Sequence, residues 1–239
     1  MSISESSVSQ VKFITNLLKA LLDRARVEED ITLSVGVFPM LGFTRGDDGS
    51  PIYTPERTTV VRSASLIHLA AIEGDEDLIS LLLPVKRLSS QSCATFTPIF
   101  LALYYGNRQA AQLFLRSRPN LHGPHLYGPS TVLHAAARNG FRDEITQFIK
   151  DYEVDPDCED VNGATPILYA LQQPPNDAFT TICLLLALGA DKNKRIQGWG
   201  YSDIARSMGH KWLADWFENL CDDHSGDTII YDDEVEASP

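Results

Sequence analysis

The sequence predicts a mainly α chain: an α-solenoid of helix–turn–helix units with short β-turn fingers and a non-repeat N-terminal cap. Three observations predict it. Similar segments recur with starts at Ser65, Thr97, Thr131, Thr165 and Gly200, spaced 32, 34, 34 and 35 residues apart. An alanine stands five positions after each start (Ala70, Ala102, Ala136, Ala170, Ala205), and a glycine nine positions after four of them (Gly74, Gly106, Gly140, Gly209). Each unit then carries a second apolar run, such as "DEDLISLLL" or "RDEITQFIK", with the i, i+3, i+4, i+7 spacing of an amphipathic helix. A repeat of this length cannot bury its own apolar face, so neighbours must stack.

The elements follow in order. Near the N-terminus "SQVKFITNLLKALLDRA" places Val11, Ile14, Leu17, Leu18, Leu21, Leu22 and Ala25 on one helical stripe. "ITLSVGVF" then alternates as a strand does, "GDDGSP" signals a turn, and "TTVVRS" supplies a partner strand. Residues 1–62 are expected to cap the exposed face of the first repeat, because terminal repeats need a cover. The repeats occupy residues 63–220. In each, the glycine is expected to end the first helix in a left-handed conformation. The fourth unit departs from the pattern: "QQPPND" replaces the glycine, and Pro174 and Pro175 must end its first helix, with about three residues added before the second. "SRPNLHGPHLYGPS" lacks the usual turn sequence, so the finger there is irregular. Residues 221–239 are expected to be an acidic disordered tail; "DDHSGDTIIYDDEVEASP" has seven acidic residues and no Lys or Arg.

The segments "SLIH", "TPIF", "TVLH" and "TPIL", with "ALGADKN" and "DVNGATP", resemble the ankyrin-repeat signature T-P-L-H-x-A-A-x-x-G over about Ser63 to Leu220. The resemblance implies paired antiparallel helices, turns projecting as fingers between units, and a concave face made of the fingers and first helices. It also implies use in recognition: binding another protein in an adaptor or regulatory role.

Composition narrows the partners. The chain is 44% hydrophobic and 22% charged, with a formal net charge of −12. That charge repels phosphate backbones and anionic lipid, so neither nucleic acid nor a membrane surface is an expected partner. "KNKRIQG", the densest basic stretch, reads as a solvated loop. No run approaches the roughly 18 apolar residues that span a bilayer, and "MSISESSVSQVKF" lacks the pattern of a secretory signal. Cys93, Cys158, Cys183 and Cys221 show no CxxC pairing, and read as reduced thiols. A cytoplasmic or nuclear location is therefore expected.

No nucleophile, metal or phosphate-binding motif is found, and no cofactor or metal site is expected. His68 and His134 hold the histidine position of the motif, where Phe100, Leu168 and Asp203 stand in the other units. A position that varies in this way serves local packing at a helix start, not shared chemistry. His122 and His125 in "HGPH" have no third ligand at recognisable spacing. The binding candidates are instead the positions four, seven and eight after each start, expected to face the groove. They give a cluster of Tyr104, Tyr105, Arg138, Asn139, Tyr169, Gln172 and Gln173. Finger residues Tyr127, Asp160, Asn162 and Trp199 are expected at its edge. Tyrosine and arginine combine apolar area with a polar tip, which suits them to recognition. A second class of function, a small-molecule binder or enzyme, would need a pocket closed between the N-terminal segment and the groove. In the tail, Ile229, Ile230 and Tyr231 before acidic residues resemble a SUMO-interacting motif, implying strand addition to a SUMO-like partner.

Overall fold

The computed structural model describes residues 31–35, 42–54, 59–64, 66–83, 96–117, 131–160 and 162–222. The N-terminal amphipathic stretch, Cys93, His122, His125, Tyr127 and the tail with Ile229, Ile230 and Tyr231 lie outside these residues.

Five helix pairs follow one another in the described residues: α1 (Leu66–Glu73) and α2 (Glu76–Leu82); α3 (Pro98–Tyr104) and α4 (Arg108–Arg116); α5 (Val132–Arg138) and α6 (Arg142–Lys150); α7 (Pro166–Ala170) and α8 (Pro175–Ala187); α9 (Tyr201–Ser207) and α10 (Lys211–Asp222). The first helices α1, α3, α5 and α7 stack in sequence, and the second helices pack as a layer behind them. α9 joins through a hydrogen bond between Thr165 Oγ1 and Tyr201 Oη at 2.9 Å. The core runs along the seam between the layers. Ala70, Ala102, Ala136, Ala170 and Ala205 are all essentially inaccessible there, the small side chains letting neighbouring helices approach.

The start of α3 has a local cause. Thr97 Oγ1 accepts the Phe100 N–H at 3.2 Å, and Pro98 supplies a preset φ in the first turn. At the turn between layers, Gly74, Gly106, Gly140 and Gly209 have φ of 72°, 80°, 66° and 88°, the left-handed geometry expected of them. The fourth repeat corrects one expectation. Pro174 is the N-cap of α8 and Pro175 its first residue, so the prolines open the second helix and no extra residues precede it. Proline is favoured in a first turn because that N–H has no helical partner in any case. The added length goes instead into α8, which has 13 residues against 9 in α4 and α6.

Ahead of the repeats, β1 (Ile31–Val35) pairs antiparallel with β4 (Thr59–Ala64), with Leu33 opposite Val61 and Val35 opposite Thr59. Between them lies a second pair that the alternation pattern does not predict: β2 (Gly42–Arg45) and β3 (Pro51–Thr54), with Phe43 opposite Tyr53. "GDDGS" closes this inner hairpin, with Gly46 N–H bonded to Ser50 O at 2.8 Å and the Asp48 carboxylate accepting the Ser50 N–H at 2.9 Å.

Candidate functional site

The threonine and histidine of the third repeat form a closed local network. The Thr131 N–H donates to His134 Nδ1 at 3.1 Å, and His134 Nε2 lies 2.9 Å from Ala164 O in the next finger. Nδ1 must therefore be bare and Nε2 must carry the proton. His134 is fully buried, and burial holds its pKa down to about 4. Its ring meets Tyr169 edge-on with centroids 4.8 Å apart. This is a neutral structural histidine, as its position in the repeat implies.

Position four after the start points into the stack in the second to fifth units. Leu101, Ala135, Tyr169 and Ile204 are all 0% exposed, so the expectation that Tyr169 faces the groove is corrected. Its ring packs against the neighbouring repeat, and its hydroxyl donates to Asp160 Oδ2 at 2.9 Å. Asp160 is also buried, and its Oδ1 accepts the N–H groups of Asn162 and Ala164 at 2.8 and 2.9 Å. It braces the finger from inside and does not present a free edge. Burial pushes its pKa up to about 6, against the pull of those three hydrogen bonds. Asn162, which gives its backbone N–H to that brace, keeps a half-buried side chain.

Asn139 and Gln173 have a different task from the one expected of them. The last carbonyls of a helix lack intrahelical donors. Asn139 Nδ2 donates to Leu103 O and Tyr104 O at 2.7 and 3.0 Å, and Gln173 Nε2 to Ala137 O at 2.6 Å. Asn107 does the same for Ala71 O and Ile72 O at 3.0 and 2.7 Å, and His210 Nε2 lies 2.7 Å from Leu171 O. Each repeat from the second onward thus staples the end of the preceding first helix. The residue pattern alone does not single out Asn107 and His210. The available signal was a polar side chain at the turn between the two helices: Asn107, Asn139 and His210 beside a glycine, and Gln173 beside Pro174.

The surface cluster is formed by what remains. The Arg138 guanidinium lies over the Tyr104 ring, 4.5 Å from its centroid, and covers it; Tyr104 is only 2% exposed, which corrects its expected exposure. Arg138 Nε donates to Gln172 Oε1 at 3.1 Å and Nη1 to Tyr104 O at 3.2 Å. Tyr105 stacks edge-on against Tyr104 at 5.8 Å and is 36% exposed, one of few large apolar side chains so placed among the described residues. Burial raises its pKa while the Arg138 charge opposes the rise. Tyr105, Arg138 and Gln172 therefore form one accessible strip across three consecutive repeats. Beside it opens a cleft of about 930 Å³ whose lining includes Arg138, Arg142, Gln172, Asp177, Met208 and His210. All of its lining residues belong to the third, fourth and fifth repeats; none comes from residues 31–64.

The last finger is held by the N-terminal hairpin. Ile196 and Trp199 exchange backbone hydrogen bonds at 2.9 and 3.0 Å, and the residues between them, Gln197 and Gly198, both have positive φ, 53° and 92°. That is a two-residue turn of the type matched to strand twist. It presents Trp199, whose Nε1–H donates to Gly49 O at 3.0 Å and whose ring lies 5.3 Å from the Arg45 guanidinium. Trp199 is 7% exposed, so it is packed against the chain's own hairpin and is no open edge.

Comparison with known proteins agrees with this architecture. The family described as ankyrin repeats (three copies) matches residues 118–196. The chain is 31% identical over 119 residues to alpha-latrotoxin-Lhe1a of Latrodectus hesperus and to alpha-latrotoxin-Lt1a of Latrodectus tredecimguttatus. The matched segment is 48% of this chain and only 8% of either relative's length. Residues 118–196 are thus ankyrin repeats, and the five stacked helix pairs with their turn glycines carry the same helix–turn–helix architecture to either side of them.

Proposed function

We propose that the chain is an adaptor or regulatory module that holds a protein partner on the first-helix face of its second to fourth repeats. Ankyrin repeats are generally protein–protein interaction modules. The observation that carries the reading is the strip of Tyr105, Arg138 and Gln172: aromatic, cationic and amide side chains from three repeats, left accessible after packing and stapling have used their neighbours. Arg138 is held in place by the Tyr104 ring and two hydrogen bonds, so little side-chain freedom is left to lose on binding. A cytoplasmic or nuclear setting goes with this reading.

Affinity capture from extracts of the source cell tests it. A Tyr105→Ala/Gln172→Ala double variant should lose proteins that the unmodified chain retains. Trp212→Ala, on the second-helix layer, should keep them. An identical set captured by all three chains overturns the assignment of this face.

A further inference from the structure

We propose that the cleft beside this strip takes a carboxylate side chain of the partner, anchored by Arg138 with Arg142 beside it. The inference rests on the groove reading above and adds the chemistry of the segment that docks there.

Half-burial without a counter-charge sets Arg138 apart among the described residues: Arg45, Arg116, Arg142 and Arg195 also take part in no ion pair there, but each is exposed. Arg108 meets Asp143 and Glu144, and Arg206 meets Asp215 and Glu218. Arg138 and Arg142 take part in no ion pair among the described residues, although the chain carries 32 acidic residues against 20 Lys and Arg. The groups that Arg138 does touch are neutral: an amide oxygen, a backbone carbonyl and a tyrosine ring. Its Nη2 has no hydrogen-bond partner among the described residues. A half-buried guanidinium surrounded by neutral groups has given up hydration without gaining a counter-charge. An arriving carboxylate supplies that charge and accepts its unused N–H bonds in the planar geometry a guanidinium favours.

The other polar groups of the cleft are mostly committed. Asn139, Gln173 and His210 are bonded to backbone carbonyls. Asp177, exposed, is the one carboxylate in the lining. Its negative charge disfavours a doubly charged phosphate more than a single carboxylate. Leu171, Pro174 and Met208 add apolar wall, so the carboxylate should be flanked by apolar side chains.

The test uses the full chain and a pentapeptide, Gly-Leu-Glu-Leu-Gly, acetylated and amidated so that the glutamate is its only charge. Gln and phosphoserine replace the glutamate in two further peptides. NMR follows the Arg138 Nε–H and the Gln172 side-chain amide during titration. The glutamate peptide should move both signals to saturation, and the other two should bind at least about tenfold more weakly, a difference expected of one charge-assisted pair. Arg138→Gln should remove the preference for glutamate over glutamine. Arg142→Gln, whose side chain makes no hydrogen bond among the described residues, should reduce that preference in a chain that folds normally. No response to the glutamate peptide, equal binding of the glutamine peptide, tighter binding of phosphoserine, or a preference unchanged in both variants overturns the proposal. A glutamate peptide that fails while the Tyr105/Gln172 variant still loses captured proteins removes only the carboxylate, leaving the groove.

Discussion

At the scale of single residues, burial acts on His134 and Asp160 in opposite directions. The histidine's folded pKa of about 4 lies below its ordinary 6.5, so its contribution to stability is present above pH 6.5 and is lost as pH falls toward 4. The folded pKa of Asp160, about 6, lies above its ordinary 3.8, so its contribution is lost as pH rises through 6 and regained toward 3.8. The two windows overlap and largely cancel. Asp160→Asn removes one side of the balance. Unfolding by urea should show the variant losing about 3 kcal/mol relative to the unmodified chain between pH 6.5 and 4, the free energy that goes with a carboxyl pKa moved from 3.8 to about 6. A gap that does not change with pH would contradict the burial argument. Asn139→Ala should lower stability by about 1–3 kcal/mol, because it strands helix-end carbonyls in the interior; the urea midpoint measures it. The role of His134 was legible in the sequence, since the repeat alone implies a structural part for it. Which polar side chains point outward was less so. Tyr169 packs against His134 of the preceding repeat, 35 residues away, and Tyr104 disappears under an arginine 34 residues away. Neither fact is local, so neither could be counted from a helix start.

At the scale of elements, the turn between the two layers combines two requirements. Gly140 needs its positive φ, and a Cβ there would come within 2.6 Å of Gln173 Oε1. Gly74 stands in the same relation to Asn107, with a Cβ contact of 2.9 Å. The glycine therefore ends one helix and makes room for the staple of the next repeat. Gly140→Ala should destabilise by about 1–2 kcal/mol from backbone conformation alone, and more if Gln173 cannot shift; thermal melting reads this. On the second-helix layer, Glu144 is 3% exposed and is held by Arg108 Nε at 2.8 Å and Gln112 Nε2 at 3.1 Å. Arg108→Ala should lower stability by about 2 kcal/mol, less than for a fully buried pair because Arg108 retains 39% exposure and Gln112 still donates. A Gln112→Ala/Arg108→Ala cycle measures how far the two donors act together. The helices and glycines were readable because helical period and left-handed turns are local signals. The proline start of α8 was not, because proline also ends helices; only the chain's path decides between the two.

At the scale of the whole molecule, the contact between Trp199 and Gly49 joins residues 150 positions apart. The composition and the repeat predicted the solenoid. They did not predict this tie, because no periodicity links a tryptophan in the last finger to a turn in the N-terminal segment. Trp199→Phe keeps an aromatic ring for Arg45 but removes the N–H donor. Amide exchange at Gly46 and Gly49, whose N–H groups are bonded within the hairpin turn, should speed up in that variant while exchange in α5 and α6 stays as it was. Equal exchange at the turn in both proteins would mean that the ring contact alone holds the hairpin. In a solenoid each unit otherwise touches only its neighbours, so nothing in the stacking itself registers how many units there are. Here something does. The hairpin is made before the first repeat, and its acceptor can be met only when the fifth has been added in place. A chain lacking residues 131–164 could restack its remaining units, yet Trp199 would then lie one repeat step, about 10 Å, nearer the first repeat. The N-terminal hairpin is in that sense a gauge, set to the length of the finished array.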